Sequence, residues 1–367
     1  MKKIKVLFFI LLLGLMNLSL VIRLFSGGHI YFSRSREVIL NSTLIAPQPA
    51  KLLAINSLKK LQLELLLDLS RRSDVALPCV GMIDSKNEFV FFDARLRRLM
   101  SFSLDRQNIK TIGSFGEGPG EYQMVRDILV DGDRIIIVDS RNSIIEYDFQ
   151  GKIQRVSKLP FTALRILGCS GDVYFIVIRS ATEKGLLENE VISWQEGKEP
   201  ARLLKMPLSV IRTKAYSADG KEMAGGGLIA LSEPAFAIFK DELVASSGSQ
   251  YAISFFDLKG REITTWKFEA PEPEYASKEF NSFKKIAAPY AIRDIFPLPY
   301  GLAIISNYFR DGQPRLDCFG QDGQLRSSWL IPLSFDPLSA RLWLDNRYLV
   351  YFSSEEGCRV YKILSRL

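Results

Sequence analysis

The sequence predicts an all-β protein made of six repeated sheets, and three observations predict it. From about Leu58 onward, short apolar runs rich in Ile, Val, Phe and Tyr recur between turns of Asp, Asn and Gly. A strand followed by a polar turn closed with Gly returns at Gly151, Gly197, Gly260 and Gly323. Inner strands can be counted six times, beginning near Val80, Asp127, Ile166, Ala235, Asp294 and Leu342. Four strands repeating every 40–60 residues or so are the signature of a β-propeller.

Composition suits such a fold and removes several others. The 367 residues are 47% hydrophobic and 24% charged, enough for a sizeable core and too apolar for disorder. A single histidine, His29, removes Ser-His-Asp and Cys-His chemistry from the repeated region. Cys79, Cys169, Cys318 and Cys358 lie too far apart for a CxxC metal site or a dense disulfide framework. The net charge of +7 belongs to one end: residues 1–72 hold eleven Lys/Arg against three acids, which leaves the other 295 residues at −1. A nearly neutral bulk lacks the basic footprint of a nucleic-acid binder, so no nucleic-acid partner is expected.

The first element is residues 1–28. Lys2, Lys3 and Lys5 precede an apolar run over residues 6–22, which Arg23 closes. As a helix this run reaches about 25 Å, just short of a ~30 Å hydrocarbon core. It exceeds the usual length of a signal-peptide apolar region, while Ser26, Gly27 and Gly28 offer small residues for cleavage. Two readings therefore stand: an uncleaved hydrophobic helix that anchors the chain in a membrane, or a removed export signal. The leading lysines predict a cytoplasmic amino terminus and an exported remainder, held at the cell envelope or secreted into the periplasm or beyond if the segment is cut. Residues 29–57, with Pro47 and Pro49, read as a spacer, and residues 58–367 as the propeller.

Within the propeller, runs such as 89–92, 134–138, 173–178 and 302–305 are too short and too β-branched or aromatic to prefer helix. The last unit, from about Ala340, has room for three strands only. Residues 61–69 carry Leu at every odd position, a period-two pattern that fits a fourth strand added to the last unit and closing the ring. A helix is the rival there, because Leu61, Leu65 and Leu69 also share one helical face. Two insertions, 209–228 and 270–291, interrupt the repeat and are candidate recognition loops or surface decoration.

These residues resemble a known family. Val138-Asp139, Asn142 and the turn from Asp148 to Gly151 resemble the NHL-type repeat. Gly116, Gly118, Pro119, Gly120, Glu121 and Tyr122 resemble the glycine-rich connector of six-bladed propellers in bacterial exported proteins. The resemblance implies the fold and an exported binding role, without an agreed activity. Many such relatives are lipoproteins, whereas this chain has no cysteine before Cys79. The connector could in principle cradle an anion, yet no Lys-Ser/Thr follows it and it links two strands. Gly116, Gly118, Pro119 and Gly120 are therefore read as a structural turn between blades.

The most suggestive site feature is an arginine recurring just ahead of, or at the start of, the inner strand: Arg126, Arg165, Arg293 and Arg341. Inner strands line the channel of a propeller, so four such arginines would form a ring able to grip a carboxylate, a phosphate or a sulfated sugar. The alternative is a structural ion-pair network, with Asp127 and Asp294 neutralising their neighbours, and a shift of one residue would turn each side chain to the other face. No catalytic residue is assigned. Asp93 and Asp139 end second strands, where they fit a buried turn role. A calcium site at the channel mouth, like that of lactonase-type propellers, has no outstanding pair of acids to support it and its ligands are unknown. Cys318 and Cys358 fall in neighbouring units, where spacing leaves open whether they are bridged. The expected function is noncatalytic binding of a protein or an anionic ligand at the channel mouth. The alternative is a metal-dependent lyase or lactonase.

Overall fold

Strand Arg134–Asp139 is apolar through its centre, and Ile135, Ile136, Ile137 and Val138 are all fully buried. A strand buried on both faces needs a sheet packed on both sides, and each sheet of this protein meets that need by standing between two others. The computed structural model describes residues 50–367 except 53–56, 183–185, 213–214, 217–221, 224–227, 249, 270–291, 311–312 and 334–339. The apolar run at 6–22, His29 and the insertion at 270–291 lie outside the described residues. Among the described residues no helix is long and apolar enough to cross a membrane.

Six antiparallel sheets follow one another along the chain. Blade 1 runs through Pro78–Ile83, Glu88–Asp93, Arg98–Ser103 and Ile109–Ile112. Blade 2 is Val125–Asp131, Arg134–Asp139, Ser143–Asp148 and Ile153–Lys158, and blade 3 is Ala163–Ser170, Val173–Ala181, Leu187–Trp194 and Ala201–Pro207. Blade 4 comprises Ala235–Phe239, Glu242–Ser246, Ala252–Asp257 and Glu262–Glu269. Blade 5 comprises Asp294–Leu298, Gly301–Arg310, Gln313–Gly320 and Leu325–Leu330. Blade 6 takes Ala340–Leu344, Tyr348–Ser353 and Gly357–Ile363 from the end of the chain, with Leu63–Asp68 pairing antiparallel to Gly357–Ile363 as its fourth strand.

Six apolar clusters fill the gaps between consecutive blades, including the gap where Val350 and Phe352 of blade 6 meet Phe89 and Phe91 of blade 1. The sheets therefore form a ring. The repeating turn has a simple cause: Asp148 accepts the N–H groups of Gln150 (3.0 Å) and Lys152 (2.9 Å). Gly151 takes a φ of +82°, which other residues resist. Asp257 caps the equivalent turn through Lys259 and Arg261.

Contacts with the ring begin earlier than the expected boundary at residue 58. Ala50–Lys51 pairs parallel with the outer strand of blade 4, and Lys59–Lys60 with the outer strand of blade 5. Leu52 and Leu58 fill the gap between blades 4 and 5, Leu61 that between 5 and 6, and Leu67 and Leu69 that between 6 and 1. The strand at 63–68 departs from the odd-leucine pattern in one respect. A bulge between Leu65 and Leu67 leaves Leu65 47% exposed and turns Leu66 inward. In the first insertion, Ser209–Arg212 pairs with Leu228–Ser232 and Ala215–Tyr216 with Glu222–Met223.

Candidate functional site

Near its start, the innermost strand of each blade carries a residue whose position is fixed by its partner on the second strand. The pairs are Val80 with Phe92, Asp127 with Val138, Arg165 with Val177, Ala235 with Ser246, Asp294 with Ile305 and Arg341 with Phe352. At one level the six blades thus present Val, Asp, Arg, Ala, Asp and Arg in order. These groups face a common space. Arg341 of blade 6 acts electrostatically on Asp127 of blade 2, Asp294 of blade 5 and Cys79 of blade 1, and Arg165 of blade 3 acts on both aspartates.

Bulges decide which arginines reach this level. The register shifts between Val125 and Asp127, so Arg126 is the extra residue of blade 2. In blade 5 the Arg293 N–H donates to the Ile305 carbonyl (2.8 Å) although Asp294 is the residue paired with Ile305. Both extra arginines turn to the next blade. Arg126 donates to the carbonyls of Ala163 (2.9 Å) and Ser140 (3.3 Å), and Arg293 to the carbonyl of Ala340 (2.5 Å). Burial lowers the pKa of Arg126 against the opposing charge of Asp139. The four arginines expected at one level are thus two at the ring, Arg165 and Arg341, and two just ahead of it that fasten adjacent blades. One extra residue in the strand turns a side chain to a different face, which accounts for the difference.

The aspartates belong to the same arrangement. Asp127 accepts the Ile166 N–H (2.9 Å) and lies 4.0 Å from Arg165 Nε, and Asp294 lies 3.3 Å from Arg293 Nε. Burial raises the pKa of both carboxyls, opposed by Arg165 and Arg341 at Asp127 and by Arg293, Arg165 and Arg341 at Asp294. Arg165 keeps 48% of its side-chain surface and Arg341 is exposed.

The other expected positions have clear structural duties. The carboxylate of Glu121 fills the loop of the connector, accepting the Gly118 N–H (2.8 Å), and a Cβ at Gly116 would lie 2.0 Å from its Oε2. Tyr147 Oη donates to the Gly120 carbonyl (2.6 Å). Gly116, Gly118, Pro119 and Gly120 thus surround an anion that the chain itself supplies. Asp139 accepts the N–H groups of Gln123 (2.9 Å), Met124 (3.0 Å) and Arg141 (3.2 Å), and Asp93 does the same for Ala76, Leu77, Arg95 and Leu96. Both aspartates are turn caps.

Cys318 and Cys358 are free thiols in different inter-blade cores, and burial pushes Cys318 up to about 12. Among the described residues no three His, Cys, Asp or Glu side chains gather as a metal cluster. A surface cleft of about 470 Å³ lies elsewhere, between blades 4 and 5 beside Lys240, Trp266 and Asp322.

Residues 69–203 match a family described as a 6-bladed beta-propeller. The six blades around one ring decide the architecture, and the match agrees with it. The protein is a six-bladed β-propeller. No curated protein matches the chain in sequence. Among solved structures the propeller is similar to a member of the duf4221 family from Bacteroides vulgatus, with 12% identity, 84% of this chain and 98% of that one covered, and a TM-score of 0.50. It is also similar to virginiamycin B lyase from Staphylococcus aureus (12% identity, 83% and 99% covered, TM-score 0.44) and to BamB from Moraxella catarrhalis (12%, 78% and 85%, 0.38). At such identities the likeness is one of fold.

The sequence already pairs Asp127 and Asp294 with neighbouring arginines in Arg126-Asp127-Ile128 and Arg293-Asp294-Ile295; what it did not place is Asp127 facing Asp294, and Arg165 facing Arg341, across the ring.

Proposed function

We propose that the propeller is a noncatalytic binding module on the exported side of a membrane, taking an anionic ligand or an acidic protein segment at the channel mouth. In this reading residues 6–22 either tether it or are removed on export, and Leu63–Asp68 clasps the last blade to seal the ring. The observation that carries the binding role is the accessibility of Arg165 and Arg341. The guanidinium groups of Arg126 and Arg293 are held by carbonyls, which leaves the other two as the donors a ligand can meet. Four arginines and two aspartates also leave two positive charges over in a confined concavity, the setting in which convergent polar groups serve recognition.

The test is isothermal titration of the purified chain with simple carboxylates, phosphate and sulfate, repeated on Arg165→Ala and Arg341→Ala. The expected result is 1:1 binding of at least one anion, weakened roughly tenfold or more by either substitution, as loss of a charge-assisted hydrogen bond implies. Unchanged affinity in both variants overturns the assignment. A divalent metal retained through purification, with substrate turnover abolished by chelation, would replace it with the metal-dependent lyase or lactonase reading.

A further inference from the structure

The ring of the channel repeats its chemistry after three blades. Val80 and Ala235 stand on opposite blades, as do Asp127 and Asp294, and Arg165 and Arg341. The repetition extends to the supporting bonds, since Arg126 reaches the Ala163 carbonyl one blade on and Arg293 reaches the Ala340 carbonyl one blade on. A molecule lying across the channel therefore meets the same pair of groups at both ends.

We propose that the channel binds a dicarboxylate, with one carboxylate at Arg165 and the other at Arg341. This rests on the anion-binding reading above and names its ligand class. Three physical points select it. The two positive charges left over are closed by two negative ones, whereas a monoanion leaves one arginine unanswered. A guanidinium meets a carboxylate edge-on through two parallel hydrogen bonds, so each ligand end has a matching fork. Asp127 and Asp294 repel oxyanions from blades 2 and 5, and Val80 and Ala235 offer no donor on blades 1 and 4. The line from blade 3 to blade 6 is the favourable one.

The experiment titrates the full chain with acetate, malonate, succinate, glutarate, adipate and sulfate at one ionic strength. One dicarboxylate is expected to bind 1:1 on the order of 100-fold more tightly than acetate, because its second end binds intramolecularly. Arg165→Gln and Arg341→Gln are each expected to reduce that ligand to the level of acetate, by similar factors, with thermal melts confirming that both variants fold. Arg165→Lys keeps the charge without the fork and should fall between. Acetate binding as tightly as every dicarboxylate overturns the dicarboxylate and leaves the anion reading standing. Tight binding of sulfate alone overturns it in favour of a compact divalent anion. Absence of binding by every probe removes both readings.

Discussion

At the scale of single residues, Asp127 and Asp294 set the charge of the channel. A carboxyl whose pKa is raised on folding holds its proton more tightly folded than unfolded. Stability from such a group increases as pH falls through the folded value and stops increasing once the unfolded value is passed. Asp127→Asn keeps an acceptor for the Ile166 N–H and removes the buried charge. The variant should therefore unfold at a midpoint no lower than the parent at neutral pH, with the gap narrowing as the parent becomes protonated toward acid pH. Denaturation curves across that range check this, and a gap that widens in acid would contradict it. Asp139 is the opposite case. It is fully buried and accepts three backbone N–H groups besides the Arg141 guanidinium. Asp139→Ala leaves those donors without a partner and should cost about 3–5 kcal/mol in urea unfolding.

At the scale of elements, the connector joining blades 1 and 2 is held by its own anion. A Cβ at Gly116 would expel the Glu121 carboxylate from the Gly118 N–H, and Gly120 combines a φ of +78° with Ile153 Cδ1 2.2 Å from where a Cβ would sit. Gly120→Ala should cost at least about 1–2 kcal/mol, from the left-handed backbone alone, measured as a lower unfolding midpoint without loss of anion binding at the ring. This element was legible in advance, because a glycine-rich segment between two strands without a following Lys-Ser/Thr already reads as a turn. The blades were legible for a similar reason, since an apolar run such as 134–138 has one stable context, a sheet covered on both faces. Bulges were not. An extra residue at Arg126 or after Leu65 leaves local composition unchanged and depends on how the partner strand is spaced, so a strict period-two count assigns Leu65 inward and Arg126 to the ring. The opposed Asp–Arg pairs were hidden by the same shifts. Arg165 follows its blade's anchoring Ala163 by two residues, whereas Arg341 follows Ala340 by one.

At the scale of the whole molecule, residues 50–69 pair with blades 4, 5 and 6, three successive blades that lie far from them in the chain. Their leucines enter successive gaps: Leu52 and Leu58 between blades 4 and 5, Leu61 between 5 and 6, and Leu67 and Leu69 between 6 and 1. In a ring every blade is supported from both sides, so a gap that loses its filling weakens two neighbours together. A truncation series separates the contributions. Removing residues 1–57 takes away Leu52 and the pairing of Ala50–Lys51, and should lower stability by about 2–5 kcal/mol, as for one buried leucine, while keeping a single cooperative transition. Removing residues 1–69 takes away the fourth strand of blade 6 and the leucines of two further gaps, and leaves Gly357–Ile363 as an open edge. That form should show no cooperative transition and should associate through the edge. A synthetic peptide covering residues 58–72, added in excess, should restore the transition, because the strand contributes contacts that need no covalent link to blade 1. A 1–69 truncation that melts cooperatively at the parent's midpoint would show that three strands suffice for blade 6, and that the early strand is an accessory to a ring held by its other five gaps.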